Sequence, residues 1–245
     1  MRKLILFGVM ALMGLTMQAQ NIQLHYDFGR SIYSEQLGGP QDDNISRRAK
    51  VTLTLEQFKA DNLGSWFYFV EVDFSSKFVE GAYAEISREF NLGKQSPFAA
   101  HIEYNGGLNR FGSFQQAALA GFAYNGHSED FSKTWSVQLM YKQYFKSYEY
   151  TRSYPGVQLT GVWGINFANN KCRFDGFIDY WGENWRAGHE GHGMLVFLTE
   201  PQFWYNFTNH FSVGTEVEIS KNFIYNVVDD KSFFINPTLA VKWNF

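Results

Sequence analysis

The chain has 245 residues and a formal net charge of −3, from 21 basic and 24 acidic side chains. This balance, with no block of basic residues, argues against nucleic acid as a partner. The single cysteine, Cys172, excludes a disulfide within the chain. Aromatic residues make up 19% of the sequence, and the mean hydropathy is slightly negative. This mixture favours strands over a bundle of membrane helices, because half of each barrel strand faces water.

The N-terminus has the layout of a secretory signal. Arg2 and Lys3 precede an apolar run from Leu4 to Leu15, and the small residue Ala19 follows. The run is too short to cross the ~30 Å hydrocarbon core of a bilayer as a helix. The sequence therefore predicts a signal peptide over residues 1–19 and a mature domain over residues 20–245.

Alternation of apolar and polar residues with a period of two predicts about twelve strands in the mature domain. The sixth has a poorly defined face, and Arg88 interrupts the apolar face of the fourth. In chain order the predicted strands cover residues 22–28, 50–55, 66–74, 82–90, 98–105, 117–125, 135–146, 157–167, 173–181, 195–207, 211–219 and 233–245.

The connections and the last strand indicate how these strands are arranged. Tight turns at 168–171 and 208–210 are followed by longer links at 183–193 and 221–232. Short turns that alternate with longer loops, and an even strand number, are typical of bacterial membrane barrels. The fold class is therefore predicted as all-β, a transmembrane antiparallel up-and-down barrel. A soluble sandwich can also show alternating strands, but aromatic residues at the ends of the outward faces suit a membrane interface.

The last strand, 233–245, ends on the aromatic residue Phe245 without a polar tail. We expect it to pair with residues 22–28 and so to close the barrel. It is also the segment through which the barrel-assembly machinery is expected to act. Pro237 lacks a backbone N–H, which predicts that pairing in this strand begins near Thr238.

The inward faces of the predicted strands carry aromatic and charged side chains that can bind a small solute. Aromatic faces stack on flat heterocycles or sugars, and carboxylates accept hydrogen bonds from hydroxyls and amines. The alternative is that these charges pair with one another and fill the lumen, which is narrower than in 16–18-stranded porins. The candidate substrate-binding residues are Phe67, Phe69, Glu71, Asp73, Glu85, Arg88, Glu103, Asp179, Trp181, Glu200 and Gln202.

Enzymatic and metal chemistry find little support in the sequence. The run His189-Glu190-Gly191-His192 lacks the i,i+4 spacing of a zinc-binding helix. No Ser, His and Asp stand at a diagnostic spacing for a catalytic triad. We therefore predict no catalytic residue, metal or cofactor.

Four segments, at residues 23–30, 66–73, 176–181 and 200–202, resemble the Tsx-type nucleoside-specific channel family, as does the closing 242–245. The likeness is closer to an uncharacterised Tsx-related outer-membrane family of unknown function. It implies a monomeric twelve-stranded barrel that passes nucleosides through a narrow lumen. The residues that match best are Phe67, Phe69, Glu71, Asp73, Asp179 and Gln202.

The expected function is facilitated diffusion of small solutes, foremost nucleosides, across the outer membrane of a Gram-negative cell. Outer-membrane lipid and the solute are then the partners of the barrel. Two alternatives remain at this point. One is a barrel enzyme acting on lipid, and the other is a closed structural barrel.

Overall fold

The computed structural model describes residues 21–29, 49–75, 78–109, 112–113, 116–147, 152–183, 194–223 and 233–245. The predicted signal peptide at 1–19 and the histidine-containing run at 189–192 lie outside these ranges. Within them, no helix has the length and apolar character needed to cross a membrane.

The described residues form a single antiparallel sheet of fourteen strand segments. In chain order these are β1 (Asn21–Asp27), β2 (Val51–Asp61), β3 (Gly64–Phe74), β4 (Val79–Asn91), β5 (Phe98–Asn109), β6 (Gly112–Ser113), β7 (Ala117–His127), β8 (Lys133–Tyr144), β9 (Tyr154–Phe167), β10 (Cys172–Glu183), β11 (Met194–Thr199), β12 (Gln202–Asn206), β13 (Phe211–Lys221) and β14 (Phe234–Asn244).

The fourteen described segments form twelve wall strands of the barrel. The two-residue β6 pairs only with the end of β5 and adds no wall strand. The segments β11 and β12 are two halves of one strand, because both pair with β10 and with β13 without a change of register. They are separated at Glu200 and Pro201, where the proline has no N–H to donate. The predicted antiparallel barrel of about twelve strands is confirmed.

The first strand and the last strand close the sheet. Their register runs from Asn21 opposite Asn244 to Asp27 opposite Thr238, so the predicted closure is confirmed. Pro237 follows the end of this ladder toward β1, as its missing N–H predicts. On its other side Pro237 lies opposite Val217, and the pairing of β14 with β13 continues to Phe234. The expectation that pairing begins near Thr238 therefore holds toward β1 and is wrong toward β13.

The two faces of the sheet differ sharply in polarity. Leu24, Phe122 and Leu239 are exposed on the outward face, together with most of the other exposed large apolar side chains. Residues of the opposite parity, such as Gln23 and Lys142, are buried inside the barrel. An apolar exterior around a polar interior is typical of a barrel that spans a membrane.

The barrel has two distinct ends. At the turn end lie Asn21, Asn244 and the short connections that join β2 to β3, β4 to β5, β7 to β8, β9 to β10 and β12 to β13. The opposite ends of the strands form the loop end, where β1, β10 and β13 end and β2, β11 and β14 begin. In the sequence, the segments that join these three pairs of strands are longer than the turns.

Gly121 tests the close approach of β7 to β8. A Cβ atom at this position would overlap the backbone carbonyl of Leu139, whereas a Cβ atom at Gly182 meets no described atom within 4 Å. We expect Gly121→Ala to lower the free energy of unfolding by about 1–3 kcal/mol, since overpacking against backbone forces the strands apart. The control Gly182→Ala should leave it unchanged. Urea unfolding of the refolded barrel in lipid measures both, and equal stability of the two variants would contradict the packing described.

Candidate functional site in the barrel lumen

Carboxylates from six strand positions face the lumen and form what we call the acidic belt. Its members are Glu71 on β3, Glu85 on β4, Glu103 on β5, Asp179 on β10, Glu200 between β11 and β12, and Glu216 and Glu218 on β13. Each interacts electrostatically with others in the set: Glu71 with Glu216, Glu200 with Asp179, and Asp179 with Glu103. The belt is therefore one connected group of carboxyl side chains inside the barrel.

Hydrogen bonds from neutral groups hold several of these carboxylates in place. The Tyr83 hydroxyl donates to Glu85 over 2.6 Å, and the Thr160 hydroxyl donates to Asp179. Gln202 donates through Nε2 to Glu216 over 2.6 Å. Such bonds orient the carboxyl groups without bringing a positive charge next to them.

Lys142 is the cation that faces the belt from β8. Its charge acts on Glu85, Glu103 and Asp179, and its Nζ donates to Oε1 of Gln158 over 2.7 Å. The ammonium group also lies 4.9 Å from the ring centroid of Trp181 and 5.1 Å from that of Tyr144. These contacts stabilise a buried ammonium group by cation–π attraction.

Three aromatic rings line the wall beside the belt. The ring centroids of Phe67 and Phe69 are 6.1 Å apart, and those of Phe69 and Tyr83 are 6.0 Å apart. All three side chains are partly exposed, as are Glu71 and Glu85 next to them. This aromatic wall, formed by Phe67, Phe69 and Tyr83, is a water-accessible surface inside a closed barrel.

The opposite side of the lumen is filled by an apolar cluster. Tyr144 and Tyr154 stack with their ring centroids 4.4 Å apart, where β8 ends and β9 begins at the loop end. The cluster is buried throughout and comprises Ala117, Leu119, Met140, Tyr144, Tyr154, Trp181, Val196 and Leu198, with Phe177 packed against it. Since its members belong to β7, β8, β9, β10 and β11, this part of the interior is closed by side chains.

A second polar group lies toward the turn end around Trp204, which is fully buried. Its Nε1 donates to Gln202 over 2.9 Å, and the Lys242 Nζ lies 3.8 Å from its ring centroid. The sequence analysis did not connect Lys242, on the closing strand, to Trp204. No local pattern could have done so, because the two residues meet only through the pairing of β12, β13 and β14.

Ten of the eleven sequence-predicted binding residues lie on the inward face. Eight of these lie in the acidic belt, in the aromatic wall or in contact with them, while Asp73 accepts a hydrogen bond from Thr52 over 2.7 Å. Trp181 belongs to the apolar cluster and is only 7% exposed, so its ring is not presented to the open part of the lumen. The role of all ten in binding a solute stays a prediction.

Arg88 is the exception, and its expected position in the lumen is wrong. It lies opposite Trp66 on β3 and Ile102 on β5, and both of these face outward. Its guanidinium lies 5.0 Å from the ring centroids of both Trp66 and Phe90 and donates to Asp61 over 2.9 Å. The flanking rings and Asp61 allow a charged side chain to sit on the apolar face near the turn end.

A closed twelve-stranded barrel with an apolar exterior and a charged, partly accessible lumen has the architecture of outer-membrane barrel proteins. The chain belongs to the family described as "Domain of unknown function (DUF5020)", whose model matches residues 19–245. The expected membership of a family of unknown function is thereby confirmed. No curated protein gives a significant match.

Solved structures with a similar fold include two porins. The NanC porin has a TM-score of 0.56 and 11% identity, and the alignment covers 92% of this chain and 98% of that one. The KdgM porin, solved in complex with disordered oligogalacturonate, has a TM-score of 0.50 and 10% identity. This alignment covers 92% of this chain and 99% of the porin chain. Identities this low show a shared fold alone. The resemblance to Tsx-type nucleoside channels stays a prediction.

Lys142→Met tests the charge balance of the belt. Removing the cation leaves Glu85, Glu103 and Asp179 to repel one another, so we expect the free energy of unfolding at pH 7 to fall by roughly 3 kcal/mol. Lys133→Met, at an exposed position on the same strand, is the control. Urea unfolding of both variants measures the effect, and a Lys142→Met barrel as stable as the Lys133→Met barrel would contradict this arrangement.

Proposed function

We propose that this protein is a monomeric outer-membrane channel through which small polar solutes diffuse passively, without chemistry. The observation that carries the proposal is the aromatic wall beside the acidic belt, which remains accessible inside a closed barrel. A barrel that served only as a scaffold has no need of partly exposed carboxylates and rings in its interior.

The proposed orientation follows from the two ends of the barrel. Bacterial barrels have short periplasmic turns and longer extracellular loops. The turn end, with Asn21 and Asn244, therefore faces the periplasm in this proposal, and the loop end faces outward. The exposed apolar side chains between the ends are then in contact with lipid.

Nucleosides are the proposed solutes. The rings of Phe67 and Phe69 offer faces on which a heterocyclic base can stack. Glu71 and Glu85 lie on the same two strands and offer acceptors for ribose hydroxyls and exocyclic amines. The resemblance to Tsx-type channels supports the same class of solute.

A closed structural barrel is the second candidate function. The apolar cluster favours it, because buried side chains from five strand segments fill one side of the lumen. A barrel of this kind would carry neither ions nor nucleosides.

Liposome swelling with a panel of nucleosides, sugars and amino acids distinguishes the two functions. We expect the purified barrel to admit nucleosides, and added nucleoside to block part of a small ion conductance in planar bilayers. Phe67→Ala combined with Phe69→Ala should weaken that block, because the stacking surface is lost. The binding free energy of the nucleoside should fall by at most about 1–3 kcal/mol per stacked base. Phe122→Ala, an outward-facing aromatic substitution, is the control.

The outcomes separate clearly. Neither swelling nor conductance would contradict the channel and favour the structural barrel. Conductance with a nucleoside block that is unaltered in the Phe67 and Phe69 variants would contradict the assignment of these two residues.

Deletion of Phe245 tests the proposed dependence of assembly on the closing strand. We expect less folded barrel in the outer membrane, while the channels that do insert keep the wild-type conductance, because Phe245 follows the last paired residue Asn244. Cell fractionation and single-channel recording measure the two quantities. Normal insertion together with altered conductance would contradict the proposed role of Phe245 in assembly.

A further inference from the structure

We infer that the outward face of the barrel near its turn end binds the phosphate group of a membrane phospholipid, and that Arg88, Lys59 and Trp66 form the site. The inference rests on the membrane barrel and on the proposed orientation, which brings the turn end to the periplasmic leaflet. It does not depend on conduction, so it applies to an open barrel and to a closed barrel alike.

Three neighbouring strands place the three side chains in one row. Trp66 on β3 lies opposite Lys59 on β2 and opposite Arg88 on β4. Trp66 and Lys59 are both exposed on the outward face. Because β4 ends at Asn91, the row lies close to the turn end. Two cations therefore flank an exposed indole ring, the kind of side chain that settles at the level of the lipid headgroups.

The guanidinium of Arg88 is held in place and keeps an unused donor. Its Cζ lies 5.0 Å from the ring centroids of both Trp66 and Phe90, and its Nη2 donates to Asp61 over 2.9 Å. The residue is only 4% exposed, and its Nη1 donates no hydrogen bond within the described part of the chain. An unpaired N–H on a buried cation is costly, above all beside lipid. A phosphate oxygen is an acceptor that the membrane can supply.

A headgroup can reach this donor from the lipid side. The two rings that flank the guanidinium, Trp66 and Phe90, are 44% and 42% exposed. A modest rotation of either ring therefore uncovers the guanidinium without any movement of the strands.

The charges around the row leave an excess of positive charge. The Asp61 Oδ1 that pairs with Arg88 also accepts from the backbone N–H groups of Leu63 and Gly64, over 2.8 Å and 3.0 Å. Asp61 thus fixes the turn between β2 and β3 and compensates one of the two cations. Lys59 forms no ion pair with any described residue. One positive charge in the row therefore remains available to a phosphate.

The surroundings of the row fit the rest of a phospholipid. Arginine binds phosphate through parallel N–H groups, and a lysine near the membrane surface adds attraction for anionic lipid. Ile86, two residues before Arg88 on the same face of β4, and Ile102, opposite Arg88 on β5, are both exposed. They offer an apolar surface to the acyl chains. The excess positive charge favours phosphatidylglycerol, which has a net negative charge, over the zwitterionic phosphatidylcholine.

The experiment is native mass spectrometry of the full mature barrel, released from detergent micelles that contain a titrated lipid. We expect one phosphatidylglycerol to bind about tenfold more tightly than phosphatidylcholine, as two surface cations allow. Lys59→Gln combined with Arg88→Gln should remove this preference. Lys133→Gln, an exposed position where β8 begins at the turn end, is the matched control and should keep the wild-type affinities.

Two single variants keep the test decisive if the double variant folds poorly. Lys59→Gln changes an exposed side chain without an ion pair and should weaken phosphatidylglycerol binding by a factor of about five. Arg88→Lys keeps the charge but loses the planar fork, so it should also bind less tightly. The mobility shift of the unheated barrel on a denaturing gel shows which variants fold.

Competition separates the sources of phosphate. Inorganic phosphate at millimolar concentration should not displace phosphatidylglycerol, because it lacks the acyl chains that contact the apolar surface. Displacement by inorganic phosphate would overturn the assignment to a lipid. Stronger binding of lipopolysaccharide, the phosphate-bearing lipid of the outer leaflet, would overturn both the phospholipid and the proposed orientation.

The remaining outcomes distinguish this inference from the proposed channel. Equal affinity for phosphatidylglycerol and phosphatidylcholine overturns the inference, and so does a preference that survives in the folded double variant. Neither result bears on liposome swelling, which tests the channel. A barrel that binds phosphatidylglycerol through this row but admits no solute supports the inference and contradicts the channel.

Discussion

The pairing of the first strand with the last strand is the constraint on which the rest of the structure depends. Seven residue pairs, from Asn21 with Asn244 to Asp27 with Thr238, close the sheet. Closure removes the unpaired edges that an open sheet would present, and in lipid an unpaired backbone group is costly. It also fixes the parity of every strand, because a slip of one residue would turn all inward side chains outward. The polar lumen and the apolar exterior both follow from this register.

Closure brings together charges that are far apart in the sequence. Glu71 and Glu200 both face the interior from strands far apart in the chain, and the same register places Lys242 against Trp204. The apolar cluster around Tyr144 and Tyr154 closes the other side. The accessible path is consequently lined by carboxyl groups and aromatic rings, and this combination supports the proposed channel for small polar solutes.

Much of this architecture could be predicted from period-two alternation alone, because a strand with one lipid-facing and one water-facing side shows its faces in its sequence. The strand number, the closing pair and the inward position of Glu85 and Asp179 are of this kind. The outward position of Arg88 could not be predicted, because a cation in an apolar alternation suggests a shifted register. Its contacts with Trp66, Phe90 and Asp61 explain the position, and they are visible only in the structure. The apolar cluster was equally hidden. Where inward residues such as Leu119 and Leu198 are apolar, alternation disappears and the sequence gives no sign of a filled lumen.

The central claim is that the wall carrying Glu71 lines a conducting path. It is tested most directly by recording single channels of Glu71→Cys in a Cys172→Ser background while a cationic thiol reagent is added. The account predicts a stepwise fall in conductance as the Cys at 71 is modified, and no change for Val70→Cys, whose side chain faces outward as the parity of β3 requires. Modification that alters conductance at position 70 but not at position 71 would contradict the parity and the path together.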